Sequence, residues 1–358
     1  MGRRDFLSSV LPDMAGMIRK AVGKTETGFA QLLRLFLPVA LSLFIYNKGV
    51  AQNDALLTHY FEVPAFYNPA ATGLTDLVRI HGGSRLQWVG VDNAPKTFLA
   101  LADAPFKLLG RRFGAGVSVN QQSMGLYRNM GASLQISYKI KLGGGVLSVG
   151  LQPGIISDTF KGSEVFIPDD DNYHDDTDAA IPRTDMSGTA FDLGAGLWYS
   201  RKSFWAGIAA THINAPVVSF SNENGSSGGD TEVSNFEFAP SRSIYFTAGC
   251  NIGIKNTLFE VLPSVFVMSD FTFTRAIATA RVRYKKFLSA GVGYRHDDAV
   301  SALLSVEYKG FYLGYSYDYP VTAISGATAG SHEIFAGYAL KLDLSDKNRH
   351  KQKSIRIM

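Results

Sequence analysis

Short stretches of the chain alternate apolar with polar or small residues, and the alternation has a period of two. In residues 134–142 the apolar set is Leu134, Ile136, Tyr138, Ile140 and Leu142, and the intervening set is Gln135, Ser137, Lys139 and Lys141. The same pattern runs through residues 280–285, 300–309 and 333–344. Successive side chains of a strand point to opposite faces, so these stretches predict strands whose two faces meet different surroundings.

About fourteen such stretches follow one another along the chain. Their predicted bounds are 77–88, 96–104, 111–121, 127–142, 144–156, 185–201, 203–213, 242–254, 257–268, 272–285, 287–296, 299–309, 310–319 and 332–344. An even number of consecutive antiparallel strands suits a closed barrel. Later in the chain no stretch approaches the run of about 18 apolar residues that a membrane-spanning helix requires.

The predicted connections fall into two groups by length. Connections from an even-numbered to an odd-numbered strand are short, such as residues 143–144 and Lys286. The three longest, residues 157–184, 214–241 and 320–331, all join an odd-numbered to an even-numbered strand. Outer-membrane barrels place long loops outside the cell and tight turns in the periplasm. The sequence therefore predicts an all-β protein, a transmembrane antiparallel β-barrel of about 14 strands with extracellular loops and periplasmic turns.

A soluble β-sandwich or lipocalin-like barrel is the alternative, because its strands alternate in the same way. A continuous meander over residues 77–344 would need a very large dry core in such a fold. One face of central strands would also carry four charged side chains, Lys139, Lys141, Arg281 and Arg283. A water-filled lumen hydrates these charges while the apolar face meets lipid. Six tyrosines on the apolar face suit an aromatic girdle at the membrane interface, namely Tyr138, Tyr284, Tyr308, Tyr315, Tyr317 and Tyr338.

Residues 1–51 have the composition of an export signal. Basic residues precede a short apolar run, "LFLPVALSLFIY" at 35–46, and the small residues Gly49 and Ala51 follow it. This order predicts a signal peptide cleaved before Gln52, and hence export to the outer membrane of a Gram-negative bacterium. A membrane anchor is the alternative, but the run is too short to span a bilayer and contains Pro38.

The predicted leader also carries the excess positive charge. The full chain has 35 Lys and Arg residues against 31 Asp and Glu residues, a formal charge of +4. Seven of the basic and three of the acidic residues lie in residues 1–51, which leaves 28 of each in the mature chain. A neutral chain has no electrostatic footprint for nucleic acid. The single cysteine, Cys250, excludes an internal disulfide.

Motifs for catalysis, cofactors or metals are missing from the sequence. The seven histidines are scattered and lack the spacing of zinc ligands. The "GAG" stretches at 114–116 and 194–196 lack the third glycine of a nucleotide loop, and glycine inside a barrel strand relieves crowding or permits curvature. The acidic loop "PDDDNYHDDTD" lacks the glycine and glutamate of a calcium-binding EF-hand and is typical of a solvated loop. His212 and Asn214 have no assignable serine for a lipase-like site. We expect no catalytic residue, cofactor or metal.

Several motifs resemble those of one known family. The segment "QNDALLTHYFEVPAFYNPAATG" (52–73) is followed in order by "RLQW", "APKT", "FDLGAGLWY", "FWAGIAATHINAP", "LPS", "GVGYRHDDAV", "LGYSYD" and "GSHEI". The ordered set resembles the PorP/SprF family of the type IX secretion system over essentially the whole mature chain. The residues that carry the resemblance are Asn68, Pro69, Ala70, Gly73, Gln87, Trp88, Pro95, His212, Pro216, Tyr294, Arg295, Tyr315, Tyr317, Gly330, Ser331 and His332.

The resemblance implies a non-enzymatic outer-membrane barrel that supports export and cell-surface attachment of cargo proteins. Its implied partners are a secreted or surface cargo protein, periplasmic and peptidoglycan-associated components of the secretion machine, and membrane lipid. An outer-membrane porin or specific transport channel is the second interpretation, and an outer-membrane lipase-like enzyme is the third. We expect the acidic loop and the Gly/Ser-rich loop at 221–230 to contact cargo.

Strand parity predicts a charged cluster where the barrel closes. The first and last strands of a closed barrel pair antiparallel, which sets Arg85 near the level of Glu333. Parity also turns Asp318 of the thirteenth strand into the lumen. We therefore predict a lumen cluster of Arg85, Asp318 and Glu333 that latches the seam near its outer end. His332 points outward instead, so it is poorly placed to form a catalytic pair with Glu333.

Three further segments complete the predicted organisation. Residues 52–76, which contain the Asn-Pro-Ala motif, either plug the lumen or lie in the periplasm. Residues 77–344 form the barrel. Parity places the basic tail, residues 345–358, in the periplasm, as a disordered end or as a docking segment for an anionic partner.

Overall fold

The computed structural model describes residues 54–165, 184–222 and 237–342. The predicted signal peptide, the basic tail, and most of the acidic and Gly/Ser-rich loops lie outside the described residues. By backbone contacts the chain divides into two units. Among the described residues, Thr272–Thr274 fall in one unit and the others in the second, which contains the fold below apart from Thr274.

Fourteen long strands make up the fold. They are β1 (Leu77–Leu86), β2 (Lys96–Leu108), β3 (Arg111–Met124), β4 (Tyr127–Leu142), β5 (Gly145–Lys161), β6 (Asp185–Arg201), β7 (Phe204–Thr211), β8 (Ser243–Cys250), β9 (Phe259–Ser269), β10 (Thr274–Tyr284), β11 (Leu288–Arg295), β12 (Ala299–Tyr308), β13 (Phe311–Pro320) and β14 (Ser331–Lys341). Short paired segments lie between them at Val218–Ser219, Ser221–Asn222, Glu237–Phe238 and Ile252–Gly253. These fourteen strands confirm the predicted all-β architecture and the predicted count of about 14.

Each long strand hydrogen-bonds its neighbours along the chain, and β1 pairs with β14 to close the ring. This β1–β14 seam is antiparallel and runs from Leu77 opposite Lys341 to Leu86 opposite His332. Arg85 lies directly opposite Glu333, at the register that parity predicts. The barrel is therefore closed and antiparallel, without an open sheet edge.

The predicted bounds agree closely with the strands, and β4 and β6 match them at both ends. The predicted bounds 96–104 and 111–121 leave residues 105–110 as a connection, and this is wrong. Strand β2 continues through Pro105 to Leu108, where it faces Arg111 of β3. Strand β5 also runs on to Lys161 because its outer part pairs fully with β6. At the other extreme, β7 stops at Thr211, and His212 has a φ of 55°, which ends the extended backbone.

The two faces of the strands differ as the alternation predicts. On β4, Leu134 is 64% exposed on the outside, whereas Gln135 is 3% exposed on the inside. On β1, Ile80 is 52% exposed and its neighbour His81 only 8%. An apolar outer face of this kind suits lipid contact. No helix in the described ranges is long and apolar enough to cross a membrane.

The lumen was expected to be charged and water-filled; inward charges are present, but part of the chain itself occupies the interior. Residues 54–76, which we call the N-terminal segment, lie inside the barrel. The segment contains a one-turn helix, α1 (Pro64–Tyr67), and a 3-10 turn at Pro69–Ala71. Its apolar side chains form a core with inward-facing side chains of the wall; the buried members include Leu57, Tyr60, Val63, Ala65, Tyr67, Leu99, Leu101, Trp198, Tyr245, Phe266 and Phe335. The inward wall positions that join this core are apolar, which removes their surface from water.

Candidate functional site

A buried ionic cluster joins the β1–β14 seam to β13. Arg85 Nη1 lies 2.7 Å from Asp318 Oδ2 and 3.0 Å from Glu333 Oε2. All three side chains are at most 2% exposed. The structure thus brings together the three residues of the predicted lumen cluster. The N-terminal segment covers this cluster.

The N-terminal segment supplies hydrogen bonds to both carboxylates. The backbone amide of Thr58 donates to Glu333 Oε2 at 2.9 Å, and that of His59 donates to Glu333 Oε1 at 2.7 Å. The ring Nδ1 of His59 lies 2.8 Å from the same Oε1. The hydroxyl of Thr58 donates to Asp318 at 2.9 Å. Several donors to a buried carboxylate offset the large cost of removing its charge from water.

Arg295 is the second cation of this cluster. Its Nη2 lies 3.1 Å from Asp318 Oδ2 and donates to Thr58 Oγ1 at 3.0 Å. Its Nη1 pairs with Asp298 at 3.0 Å. Two arginines therefore face the carboxylates of Asp318 and Glu333. The hydroxyl of Thr58 is hydrogen-bonded both to these arginines and to Asp318. Arg295 is one of the residues that carry the family resemblance, but its place beside the seam was not predicted from the sequence.

The Asn-Pro-Ala motif forms a second point of attachment. Asn68 caps the 3-10 turn by accepting from the amide of Ala70 at 2.9 Å. Its Nδ2 donates to two carbonyls of the wall, Leu197 O at 3.0 Å and Ile208 O at 3.2 Å. One side chain thereby fixes the turn to β6 and β7 together. Pro69 at the first position of the turn has the backbone angle that the turn requires.

Glycines in the wall make this close approach possible. A Cβ on Gly196 would lie 2.1 Å from Asn68 Oδ1, and one on Gly150 would lie 2.2 Å from the amide nitrogen of Ala70. A Cβ on Gly114 would lie 2.1 Å from Thr72 O. The "GAG" stretches therefore have a specific purpose, because only glycine leaves room for the backbone of the N-terminal segment.

Polar side chains of the inner wall bind the rest of the segment. Thr72 O accepts from Ser137 Oγ at 2.8 Å and from Lys139 Nζ at 2.9 Å. Asp103 accepts from the amide of Gly73 at 2.7 Å and pairs with Arg79. The guanidinium of Arg281 lies 3.3 Å from the ring centroid of Phe61 and pairs with Glu62. Lys139 and Arg281 of the charged inner rows thus bind the segment, whereas Arg283 pairs with Glu260 of the wall.

His212 binds the start of the described segment at the outer end of the barrel. Its Nδ1 lies 3.0 Å from Asp192, and its Nε2 lies 3.2 Å from Asp54. Tyr245 also donates to Asp54. Burial lowers the pKa of His212, but the charge of Asp54 and hydrogen bonds to both carboxylates outweigh burial and raise the pKa to about 10. Burial raises the pKa of Asp54, yet the charge of His212 leaves it below its usual range.

The His212 arrangement does not resemble a hydrolytic site. Both ring nitrogens face carboxylates, so neither is available to take a proton from a serine. Asn214 accepts from the amide of Leu193 and donates to Phe191 O, which are contacts with the backbone of β6. Among the described residues no group of three or more His, Cys, Asp and Glu side chains is arranged to hold a metal ion.

Sequence comparison identifies the family. Residues 49–338 match the sequence profile described as "Type IX secretion system membrane protein PorP/SprF". The chain belongs to the PorP/SprF family. The match covers the N-terminal segment and nearly all of the barrel, so the segment is part of what this family shares. The resemblance found in the sequence motifs is thereby confirmed, and the protein is a membrane barrel of a secretion-system family.

The motif residues of this PorP/SprF chain lie in two kinds of place. Asn68, Pro69, Ala70 and Gly73 lie in the N-terminal segment, and Arg295 and His212 bind that segment. The others lie near the outer end of the wall. Gln87 N donates to Pro95 O, and Trp88 N donates to Ser331 Oγ. Gly330 O accepts from the amide of Val89, which closes the loop after β1 over the start of β14.

Three motif residues cluster on the outer surface of the barrel. The ring of His332 lies between those of Tyr315 and Tyr317, and the Tyr315 hydroxyl is 2.7 Å from His332 Nδ1. Tyr317 donates to Ala329 O. Tyr294 is 48% exposed on β11, and Pro216 is buried in the loop after β7. None of these residues joins the Arg85 cluster, and His332 and Glu333 project to opposite faces.

Comparison with known proteins adds little beyond the PorP/SprF family. No curated protein matches the sequence. Among solved structures, the toluene transporter TbuX of Ralstonia pickettii is 9% identical, with 78% of this chain and 93% of that one covered and a TM-score of 0.44. The translocator domain of the autotransporter NalP from Neisseria meningitidis is 11% identical, with 79% and 94% covered and a TM-score of 0.43. Outer membrane phospholipase A from Escherichia coli is 11% identical, with 75% and 93% covered and a TM-score of 0.30.

Proposed function

We propose that this PorP/SprF chain is a non-enzymatic outer-membrane component of the type IX secretion system, and that it supports export or cell-surface attachment of cargo proteins as a plugged scaffold. The observation that carries the proposal is the attachment of Thr58 and His59 to Glu333, inside a cluster whose side chains are almost fully buried. A barrel whose lumen holds its own chain at this depth has its functional surfaces at its two ends.

A passive porin is the competing function. Porins keep a water-filled channel. In this chain the segment's core packs against the wall through Tyr60, Tyr67 and Phe266, each at most 2% exposed. Arg85 and Arg295 each donate a hydrogen bond to Thr58 of the segment. These contacts favour a resident plug over a pore that exchanges solute freely.

A lipase-like function lacks support from the site chemistry. Catalysis by a serine requires a histidine within hydrogen-bond reach of the hydroxyl. Both nitrogens of His212 contact carboxylates, and the Nδ1 of His332 contacts the Tyr315 hydroxyl. The proposed roles of these histidines are therefore to position the N-terminal segment and to order the outer surface beside the seam.

The proposed partners follow the two ends of the barrel. Secreted or surface cargo would bind the long loops between β5 and β6 and between β7 and β8. Periplasmic and peptidoglycan-associated components of the secretion machine would bind at the end with the short turns. Export to the outer membrane by the signal peptide at residues 1–51 belongs to the same proposal, as does docking by the basic tail at 345–358.

Affinity purification of the intact barrel from outer membranes tests this function. The barrel should carry an extracellular tag and be solubilised after mild cross-linking, with identically treated membranes lacking the tag as the control. We expect at least one exported surface protein and one periplasmic component to co-purify at a fixed ratio. Recovery of the barrel alone, together with steady ion conductance of the wild-type protein in a planar bilayer, would favour the porin instead.

A further inference from the structure

Basic residues surround the end of the barrel that has the short turns. Six connections join an even-numbered to an odd-numbered strand, and each carries a lysine or arginine within it or within two residues of it. We call the following set the basic collar: Arg111, Arg201, Lys202, Lys255, Lys285, Lys286 and Lys309. The proposed orientation of the barrel places this end in the periplasm, so the collar would face the inner leaflet of the outer membrane.

Four collar lysines occupy an unfavourable backbone conformation. The φ angles are 40° at Lys202, 51° at Lys285, 54° at Lys286 and 49° at Lys309. Tight hairpin turns with left-handed residues favour asparagine and glycine. The same end of this barrel uses those residues elsewhere, with Asn256 at 59° and Gly310 at 87°. The turns therefore do not require lysine, and its presence indicates a use for the charge.

The collar lies next to an aromatic girdle on the outer surface. Ring pairs connect adjacent strands at this end: Phe259 with Tyr284, Phe287 with Tyr308, and Phe311 with Tyr338, at centroid distances of 4.9, 6.3 and 4.4 Å. Aromatic side chains in outer-membrane barrels mark the level of the lipid headgroups. Two collar ammonium groups lie directly over these rings, Lys285 at 5.3 Å from Tyr284 and Lys309 at 5.2 Å from Tyr308.

Carboxylates at this end leave the turn lysines unneutralised. Asp76 pairs with Arg112, and Glu260 pairs with Arg283. Among the described residues no carboxylate lies within ion-pair distance of the ammonium groups of the four left-handed lysines. Glu307 interacts electrostatically with Lys286 from beyond that distance, and the charges of Lys202, Lys285 and Lys309 face the headgroup region without a paired carboxylate.

We propose that the basic collar binds the phosphate headgroups of anionic glycerophospholipids, such as phosphatidylglycerol, in the periplasmic leaflet. The aromatic girdle decides for lipid over an acidic polypeptide, because it places the lysines where a headgroup phosphate lies. Bound lipid would hold the short-turn end at a fixed depth while the opposite end engages cargo. This inference rests on the proposed orientation of the barrel but not on the identity of any cargo.

Native mass spectrometry of the full-length barrel released from nanodiscs tests the collar. The discs contain phosphatidylcholine with either about 30% phosphatidylglycerol or no anionic lipid. The higher fraction places several anionic lipids around each barrel. The test variant combines Lys202→Asn, Lys285→Asn, Lys286→Asn and Lys309→Asn, because asparagine accepts the left-handed backbone. We expect wild type to retain phosphatidylglycerol selectively and the variant to retain several-fold less.

Two matched controls separate charge from folding. Lys96→Asn together with Lys161→Asn removes two lysines at the opposite end and should leave lipid retention unchanged. Replacing the four collar lysines with arginine should preserve retention. The Asn variant should keep the heat-modifiable electrophoretic mobility of a folded barrel. Equal retention of phosphatidylglycerol by wild type and the folded Asn variant would overturn the proposal. It would also be overturned if the four substitutions weakened only the binding of an acidic periplasmic polypeptide and left lipid retention unchanged.

Discussion

The backbone amide of His59 donates to the carboxylate of Glu333 at 2.7 Å, across a separation of 274 residues. Glu333 is also the residue opposite Arg85 at the barrel seam. One carboxylate therefore accepts from the N-terminal segment and from the strand that closes the barrel. Closure of the seam and docking of the segment are coupled through Glu333. Closure brings the guanidinium of Arg85, and docking brings the amides of Thr58 and His59, and both compensate the buried negative charge.

This coupling predicts a non-additive double-mutant cycle. Removing one partner of a buried ion pair costs about 3–5 kcal/mol because the other charge is left uncompensated. We expect Arg85→Ala and Glu333→Ala each to destabilise the barrel, and the double variant to be less destabilised than the sum by roughly 1–3 kcal/mol. Urea unfolding followed by heat-modifiable mobility measures all four proteins. Simple additivity would contradict a latch at the seam.

The wall glycines predict that a single methyl group displaces the N-terminal segment. Gly196→Ala places a Cβ against Asn68 Oδ1, and overpacking of this kind costs about 1–3 kcal/mol. We expect the barrel to remain folded while residues 54–73 become susceptible to protease. Gly253→Ala is the matched control, because nothing lies within 4 Å of a Cβ there. Equal protection of the segment in both variants would show that Gly196 does not control docking.

Displacement of the segment should also open the lumen. In a planar bilayer we expect the wild-type barrel to show little steady conductance and Gly196→Ala to show frequent openings, because the segment's core contacts are weakened. Gly253→Ala should behave as wild type does. Steady conductance of equal size in all three proteins would mean that ions pass the docked segment.

Much of the barrel could be predicted from the alternation of side chains. Side chains alternate with a period of two when one face of a strand meets lipid, and residues 134–142 and 300–309 follow this pattern. The strands, the inward or outward direction of each side chain, and the register of the seam could be derived from it. The pairing of Arg85 with Glu333 needed nothing beyond parity and closure. The sorting of connection lengths supplied the orientation of the strands independently.

The interior could not be predicted in the same way. Alternation shows that a face is different from lipid, but it does not show whether that face meets water or protein. Charged positions such as Arg281 and Lys139 suggested water, although they bind the N-terminal segment. A clue was present in the segment itself, because residues 55–67 are rich in side chains typical of a buried core. Inward Leu99 and Leu101 on β2, which is apolar on both faces, were a second clue.

Attachment at the outer end should depend on alkaline pH through His212. Its pKa is raised from an ordinary 6.5 to about 10 by contact with Asp54 and Asp192, so the folded state favours the protonated ring. The resulting stability is fully present below pH 6.5 and is lost as pH rises through about 10. We expect hydrogen-exchange protection at residues 55–57, corrected for intrinsic rates, to fall between pH 7 and pH 10, a window of roughly three units set by that shift. His212→Gln should show weak protection already at pH 7 and no further fall across the window. Constant protection of the wild-type protein over this range would show that the His212 charge does not hold the segment.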